Sequence, residues 1–377
     1  MRIAIDTRLL NSGNHSGVEE YTHNIIQELL AQNSNDNFIF FNNSLKTTNK
    51  PNFKHQNNNV QTINWHIPNK ILDLAFRFGL VKPNFKADIF FSPNLSSLQT
   101  KIPHIITIHD LSFLHYPEFF TPLARAWHTA RVSINCKQAT HIIADCEFTK
   151  NDLINLFKIN PDKISVVYLG IDTQFKKLPH NDSRLLDFKK TNNINFSFIL
   201  YLGTLEPRKN IPAIIRAFNI LKQKNNHEDL RLILAGKKGW LYQNIFKEFN
   251  RSPFKKDIIF FGPVKNEERV FLYNLANAFV YPSFFEGFGL PPLEAQACGV
   301  PVVASDRTSL AETLSSSALL VNPWKVSNLA NSLESILANP TTRTSLIERG
   351  LKNVQRFNWH SAGQTTMAIL KKYGKNN

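Results

Sequence analysis

The sequence predicts an α/β protein made of two doubly wound domains, each a parallel sheet flanked by helices. Two observations lead to this prediction. Short apolar runs alternate with longer amphipathic stretches throughout the chain, as repeated strand–helix units do. The length of 377 residues also exceeds one ordinary core and fits two domains of roughly 150–200 residues each.

The predicted strands are short runs rich in Ile, Val, Leu, Phe and Ala, and the predicted helices are longer runs with apolar residues three or four apart. The strands are expected at residues 2–5, 38–41, 89–91, 104–108, 141–144, 164–167, 198–202, 231–235, 258–260, 278–280, 302–304 and 318–321. The helices are expected at residues 18–32, 71–80, 122–138, 149–157, 211–222, 266–276, 293–298, 326–338 and 359–372.

A polar stretch at residues 172–195, which contains Pro179 and has no strong period, is the predicted linker. It separates an N-terminal domain at residues 1–175 from a C-terminal domain at residues 195–357. The Asn- and Lys-rich residues 42–59 are predicted to form a surface loop. A last helix within residues 358–377 is a candidate to cross back to the N-terminal domain.

Composition narrows the function classes. No secretory leader precedes the first apolar run, no stretch approaches a membrane span, and the three cysteines lack metal-type spacing, so a cytoplasmic protein with reduced thiols is expected. The formal charge of +15 is scattered, with no run of five or six like charges, so a nucleic-acid tail is not expected. A basic surface still favours anionic lipid or a phosphate-bearing substrate.

Residues 70–82, KILDLAFRFGLVK, are apolar with basic residues at both ends. Two interpretations are open. The segment is either an interfacial helix that touches the inner membrane leaflet or a helix packed on its own sheet.

The segment at residues 281–305, YPSFFEGFGLPPLEAQACGVPVVAS, carries the strongest chemical pattern. A strand is expected to end before it, Gly287 and Gly289 suit a loop that approaches a ligand, and two prolines suit the first turn of a short helix. Glu286 is therefore placed in the loop and Glu294 in the helix, at the strand end where open α/β sheets bind ligands. Carboxylates accept hydrogen bonds from paired hydroxyls and helix amides receive phosphate, so the expected ligand is a sugar or ribose joined to phosphate.

A second strand–glycine–helix pattern follows residues 198–202, where Gly203 opens a turn and Arg208 and Lys209 stand before the next helix. Both charges and the helix N-terminus are expected to act on one diphosphate. A weaker pattern of the same kind joins Gly13 and Gly17 to the helix at residues 18–32.

His109 and Asp110 follow the strand at residues 104–108. A histidine at a strand end can donate a hydrogen bond to a sugar hydroxyl, although an isolated histidine is more often structural. The residues alone leave both interpretations open.

Taken together, EGFGLPPLE, GTLEPRKN, GKKGW and IHDL resemble the motifs of glycosyltransferase family 4, which are retaining enzymes of the GT-B fold with the E-x7-E pattern. The resemblance implies two Rossmann-like domains that face a central cleft. It implies that Glu294 binds the nucleotide ribose, Glu286 the donor sugar hydroxyls, and His109 the transferred sugar. It also implies that Lys209 and Arg208 neutralise the leaving diphosphate. The other donor contacts it implies are Gly17, Gly203, Thr204, Gly287, Phe288, Gly289 and Leu290, and the acceptor contacts are Asp110 and Gly13.

Two positions depart from the family pattern. Thr204 stands where many relatives carry Arg, and Cys146 stands where many carry Ser. No two aspartates have the Asp-x-Asp spacing of metal-dependent glycosyltransferases, so we expect no metal and no other cofactor.

The variant of the family most similar to this sequence includes bacterial mannosyltransferases of O-antigen and capsule synthesis. The expected reaction is therefore transfer of a hexose, with mannose from GDP-mannose as first choice, to a glycan or lipid-linked oligosaccharide. The expected partners are the nucleotide sugar, this acceptor and the anionic inner membrane, with no nucleic acid. The alternatives are a nucleotide-sugar epimerase or phosphorylase on the same fold, a basic nucleic-acid-binding protein and, last, an inactive scaffold.

Overall fold

The computed structural model describes the chain except for residues 12–16, 33–34, 44–52, 54–58, 78–79, 82, 84, 97, 99, 225–226 and 375–377. The chain divides into two compact units. The first unit comprises Met1–Gly170 together with Asn358–Asn377, and the second comprises Ile171–Phe357.

Each unit is built on one parallel sheet of the described strands. In the first unit these are β1 (Arg2–Asp6), β2 (Asn37–Asn43), β3 (Val60–Trp65), β4 (Ile89–Ser92), β5 (His104–Ile108), β6 (His141–Ala144) and β7 (Ile164–Val166). In the second they are β8 (Phe198–Leu202), β9 (Arg231–Ala235), β10 (Ile258–Gly262), β11 (Ala278–Tyr281), β12 (Val302–Ser305) and β13 (Leu319–Val321).

The strand order reverses once in each sheet. The first sheet runs β3-β2-β1-β4-β5-β6-β7 and the second runs β10-β9-β8-β11-β12-β13. The reversal therefore lies between β1 and β4 in the first unit and between β8 and β11 in the second. The carboxyl ends of strands at such a reversal are where open α/β sheets bind ligands.

Helices connect and cover the strands in both units, and the described α-helices follow one another in chain order. They are α1 (Gly17–Ala31), α2 (Asn69–Arg77), α3 (Ser112–His115), α4 (Pro122–Gln138), α5 (Glu147–Phe157), α6 (Ser183–Thr191), α7 (Ile211–Lys222), α8 (Gln243–Arg251), α9 (Asn266–Leu275), α10 (Leu290–Ala297), α11 (Thr308–Leu314), α12 (Val326–Ala338), α13 (Pro340–Asn353) and α14 (Trp359–Gly374).

The central strands are buried along their whole length, which is why their sequences lack the alternation of half-exposed strands. Every residue of β5, β6, β8, β11 and β12 is buried. The twelve predicted strands are all present with small differences at their ends. The prediction of two doubly wound α/β domains is therefore confirmed.

Among the described elements, one strand and five α-helices were not predicted: β3, and α3, α6, α8, α11 and α13. Strand β3 lies at an edge of its sheet and is largely exposed, so its polar sequence VQTINW does not show the apolar run on which strand prediction depends. Helix α6 lies inside the stretch predicted as a linker without structure. It buries only Leu185, and it is started by the Asp182 side chain, which accepts hydrogen bonds from the amides of Arg184 and Leu185.

Helix α14 packs on α1 in the first unit. The two helices approach closely at Gly363, where an added Cβ atom would lie 2.5 Å from Cβ of Glu28. At the start of α14 the ring of Trp359 lies 6.1 Å from the ring of Tyr21. Residues 358–374 thus complete the unit that begins the chain.

Within the described part of the chain, no helix combines the length and apolar character that crossing a bilayer requires. Helix α2 buries Leu72 and Phe76 in the core beside its sheet. It also exposes Ile71 and Leu74, whose relative exposures are 60% and 55%. The helix therefore has a packed face and an exposed apolar face.

Candidate active site

Two loops meet at the reversal point of the second sheet. One follows β8 and runs through a 3₁₀ turn at Pro207–Lys209, and the other follows β11 and leads into α10. The loops are joined by a backbone hydrogen bond of 2.9 Å from the amide of Phe284 to the carbonyl of Arg208. Because β8 and β11 are neighbours in the sheet, the two sequence motifs predicted to bind one ligand lie side by side.

Lys209 and Glu286 form the centre of this site. The Lys209 Nζ donates hydrogen bonds of 2.6 Å to Oε1 of Glu286 and 2.7 Å to the hydroxyl of Tyr281. Arg208 joins them, since its Nη1 lies 3.3 Å from Oε2 of Glu286 and its Nη2 donates a 2.9 Å hydrogen bond to Glu206. Two basic and two acidic side chains are thus held in one cluster, which we call the Lys209 cluster (Glu206, Arg208, Lys209 and Glu286).

Burial and charge act against each other in the Lys209 cluster. Burial lowers the pKa of the Lys209 ammonium and Arg208 lowers it further, against the opposing effect of Glu286. Burial raises the pKa of the Glu286 carboxyl, but Lys209 and Arg208 together hold it below its usual value. Glu286 is therefore ionised at neutral pH and can accept hydrogen bonds from hydroxyl groups. An incoming anion would be bound by Lys209 and Arg208 in competition with the carboxylates.

A positive backbone φ angle at Gly289 shapes the loop after Glu286. Gly289, the residue before α10, has φ of +90° and an added Cβ atom would lie 2.4 Å from Cδ2 of Leu310. The amide of Glu286 donates to Oγ1 of Thr308 at 3.1 Å, and the hydroxyl of Ser309 donates to the Glu286 carbonyl at 2.9 Å. The loop is therefore held by the start of α11 as well as shaped by Gly289.

Gly289→Ala is expected to lower the free energy of unfolding by about 1–2 kcal/mol, because an alanine at this φ meets its own backbone as well as Leu310. Chemical denaturation measures the loss. Gly17→Ala is the matched control, since an added Cβ atom at Gly17 has nothing within 4 Å. Equal free energies of unfolding for the two variants would show that an added Cβ atom at Gly289 has no cost.

The remaining residues predicted around the donor take different positions. Gly203 lies beside Tyr201, since an added Cβ atom at Gly203 would be 2.9 Å from the Tyr201 hydroxyl. That hydroxyl donates a 2.9 Å hydrogen bond to the carbonyl of Thr204. The Phe288 side chain is buried with its ring 5.5 Å from that of Phe357, so it packs into the core. Gly287 and Leu290 are partly exposed.

Glu294 belongs to a different set of contacts. It is 1% exposed and accepts a 2.8 Å hydrogen bond from the hydroxyl of Tyr273, while its other oxygen is paired with Arg269. Both partners are on α9. The structure therefore links Glu294 to α9 and links Glu286 to the loop after β8.

In the first unit, His109 follows β5 and is held on three sides. Its Nδ1 lies 2.7 Å from Oδ2 of Asp145, its Nε2 lies 3.0 Å from the carbonyl oxygen of Pro93, and its ring meets that of Tyr21 edge to face at 4.8 Å. The Pro93 carbonyl follows β4 and Asp145 follows β6, the two neighbours of β5. The ends of three adjacent strands thus fix one imidazole.

The other residues predicted in this unit have local roles or lie outside the description. Oδ1 of Asp110 accepts hydrogen bonds of 3.0 and 2.7 Å from the amide and hydroxyl of Ser112, which starts α3. Gly17 is the first residue of α1, and Gly13 is outside the described residues. The buried Cys146 caps α5, where its sulfur accepts from the amide of Thr149 at 3.4 Å. A cysteine thus takes the capping position that a serine would fill.

Sequence reasoning missed the partners of the predicted residues. Glu206 lies two residues before Arg208 in the same motif, so its spacing could have indicated it. Asp145 directly follows the predicted strand that comes next in the chain after the strand of His109. Arg269 and Tyr273 carried no such signal. Among the described residues, no group of three or more His, Cys, Asp or Glu side chains is arranged to hold a metal ion.

Two Rossmann-like units, each with a parallel sheet whose strand order reverses once, are the architecture of the GT-B fold. The model for glycosyl transferases group 1 matches residues 182–353, and that for Glycosyltransferase Family 4 matches residues 15–175. The chain belongs to glycosyltransferase family 4, as the motifs predicted.

Individual relatives agree with this family. O-antigen chain mannosyltransferase B of Escherichia coli is 30% identical over 294 residues, which cover 76% of this chain and 75% of that protein. A serotype-specific mannosyltransferase of Escherichia coli is 28% identical over 291 residues, 72% of this chain but 34% of that longer protein. The structure of Anabaena HepE in complex with UDP and glucose has a TM-score of 0.72 at 18% identity, covering 99% of this chain and 100% of that one.

Proposed function

We propose that this glycosyltransferase moves a hexose from a nucleoside-diphosphate sugar to a hydroxyl group of a glycan or lipid-linked acceptor, with retention of the anomeric configuration. GDP-mannose is the proposed donor. The names of the two Escherichia coli relatives support mannose, and the HepE complex with UDP and glucose supports a nucleoside diphosphate and a hexose as the parts of the donor. The expected setting is the synthesis of a cell-surface polysaccharide.

The Lys209 cluster is the observation that carries this proposal. The buried Lys209 and the partly buried Arg208, beside an ionised carboxylate, provide donors for a diphosphate and an acceptor for sugar hydroxyls within one site. In the proposed reaction Lys209 and Arg208 stabilise the charge that develops on the leaving diphosphate. Glu286 binds hydroxyl groups of the donor sugar.

The further roles depend on the family resemblance. Glu294 is proposed to bind the ribose, and His109 to contact the transferred sugar. For Glu294 this requires its carboxylate to accept from the ribose in addition to Tyr273 and Arg269. The proposed mechanism uses no metal and no covalent intermediate, and an oxygen of the leaving phosphate helps to remove the proton of the acceptor hydroxyl.

Location at the cytoplasmic face of the inner membrane is part of the proposal. The net charge of +15 favours an anionic surface, and the exposed Ile71 and Leu74 of α2 offer apolar contact with lipid. Sedimentation with vesicles that contain anionic lipid, compared with neutral vesicles, tests this part independently of catalysis.

A screen of nucleoside-diphosphate sugars by thermal shift tests the donor. A ligand at a hundred times its dissociation constant adds about 2.7 kcal/mol of stability, so GDP-mannose is expected to raise Tm by several degrees. UDP-glucose and UDP-N-acetylglucosamine serve as comparisons. A larger shift with either would replace GDP-mannose, and no shift with any nucleotide would contradict the nucleotide site.

Product analysis separates transfer from the alternatives. A nucleotide-sugar epimerase would form an epimer of the donor without acceptor, and a phosphorylase would need inorganic phosphate. The two relatives named as mannosyltransferases favour transfer. Salt-dependent binding of generic DNA would be the corresponding test of a nucleic-acid-binding protein.

A further inference from the structure

The imidazole of His109 faces an oxygen acceptor on each side. Its Nε2 lies 3.0 Å from the backbone carbonyl oxygen of Pro93, and its Nδ1 lies 2.7 Å from Oδ2 of Asp145. A carbonyl oxygen can only accept, so Nε2 carries a hydrogen. Without a hydrogen between them, Nδ1 and Oδ2 would face each other with lone pairs and repel. Their contact therefore requires a second hydrogen.

Asp145 is itself enclosed. The residue is 2% exposed, and its Oδ1 has no hydrogen-bond partner in the described structure. Its carboxylate therefore depends on the His109 ring for compensation of its charge. The geometry thus makes the two side chains one unit that retains a proton between Nδ1 and Oδ2.

The pKa shifts of both partners keep a proton on the pair, since burial raises the pKa of the Asp145 carboxyl against the opposing charge of His109. Burial lowers the pKa of His109, but the Asp145 carboxylate and the hydrogen bonds to Asp145 and Pro93 raise it above its usual value overall. Asp110, the next residue, also acts to raise the pKa of His109. Burial raises the pKa of the phenol of Tyr21, which packs on the ring from α1 and is therefore neutral.

We propose that Asp145 is a positioning residue that keeps hydrogen on both ring nitrogens of His109, so that His109 meets the substrate as a hydrogen-bond donor and not as a base. The proposal rests on the proposed function, in which His109 contacts the transferred sugar. In that contact the Nε2–H group donates its hydrogen bond to a sugar oxygen instead of to the Pro93 carbonyl oxygen. The proton of the acceptor hydroxyl must then go to a group other than His109.

The pH dependence follows from the sign of the shift. A histidine whose folded pKa is raised holds its second hydrogen to a higher pH than an ordinary imidazole and loses it as the pH rises through that folded pKa. Activity that needs the protonated unit is therefore present below that folded pKa and declines on the alkaline side of it. Without the Asp145 charge, the effect of burial remains and moves that decline to lower pH.

Asp145→Asn tests the proposal, because it keeps the shape of the side chain and removes the charge. Asp152→Asn is the matched control, since Asp152 forms a pair of the same kind with His115, at 2.7 Å in the same unit. Nitrogen-15 NMR of the histidine rings, with the His109 signals assigned from His109→Gln, reports which nitrogens carry hydrogen. Transfer activity is measured in parallel from pH 6 to pH 9.

We expect the wild-type His109 to carry hydrogen on both nitrogens at pH 7 and to lose one at a lower pH in Asp145→Asn. Transfer by this variant is expected to fall on the order of tenfold at pH 8 and less at pH 6, a pH-dependent loss that a purely structural defect would not produce. Asp152→Asn should keep the wild-type profile. A wild-type His109 with an unprotonated nitrogen at pH 7 would overturn the proposal, even if Asp145→Asn does not fold.

The two readouts separate this proposal from the proposed function. If the enzyme transfers no sugar while the NMR result holds, the assigned reaction fails and the protonation of His109 stands. If transfer occurs and the pH profile of Asp145→Asn matches that of the wild type, the positioning role of Asp145 is wrong.

Discussion

Lys209→Ala is expected to lower the transfer rate at saturating donor by about a hundred- to a thousandfold. The buried Nζ is the group nearest to Glu286 in the site, and an ammonium aimed at a leaving diphosphate from a water-poor environment stabilises charge that appears only in the transition state. The measurement is kcat from product formation with GDP-mannose and acceptor. Saturation matters because a loss confined to KM would indicate uniform binding of the donor.

Lys222→Ala is the matched control for this prediction. Lys222 is also largely buried, with a side chain 5% exposed that lies 3.1 Å from Asp257. It is the last residue of α7 and donates to the carbonyl of His227, away from the loop after β8. It should therefore show the stability cost of losing a buried lysine without the loss of kcat. Full activity of Lys209→Ala at saturating donor would show that the phosphate assignment is wrong.

Glu294→Ala is expected to lower the free energy of unfolding by about 3 kcal/mol, because it removes a fully buried carboxylate that pairs with the partly buried guanidinium of Arg269. It also removes the acceptor of the Tyr273 hydroxyl. Urea denaturation measures the loss. The prediction concerns folding, so it can be tested before any substrate is known.

Glu294→Gln provides the comparison for this second prediction. The amide oxygen can still accept from Tyr273, so the smaller loss in this variant reflects mainly the charge of the pair with Arg269. Equal stability of Glu294→Ala and the wild type would show that the contact with Arg269 contributes nothing to folding. A raised KM for the donor in Glu294→Gln, with stability largely kept, would support the proposed ribose contact.

The sequence predicts three of the four members of the Lys209 cluster, Arg208, Lys209 and Glu286, because they occupy two short loops. Once β8 and β11 are predicted as parallel strands, glycine, proline and charge positions in each loop fix which residues reach the strand ends. Glu286 and Lys209 are 77 residues apart, and the alternation of strands and helices is sufficient to bring them together.

Partners on other elements are less predictable. Arg269 lies on the amphipathic helix α9, where a basic residue normally faces solvent, and nothing in the helix pattern indicates that it turns towards a buried glutamate. Asp145 shows the same difficulty in a milder form, since its position after β6 is predictable but its contact with His109 depends on side-chain rotamers. Strand β3 and helix α6 are two of the elements that were not predicted. Few of their residues are buried, and burial is the source of the periodic signal.

The packing of α14 on α1 has a consequence for how the protein is made. Residues 358–374 belong to the first unit but are synthesised after the whole of Ile171–Phe357. On the ribosome, the second unit can therefore finish folding as one continuous segment, whereas the first must wait with the α1 surface around Tyr21 and Glu28 uncovered. A stop codon near residue 357 would thus impair the folding of the first unit rather than that of the second. We expect chaperones to bind the nascent N-terminal half.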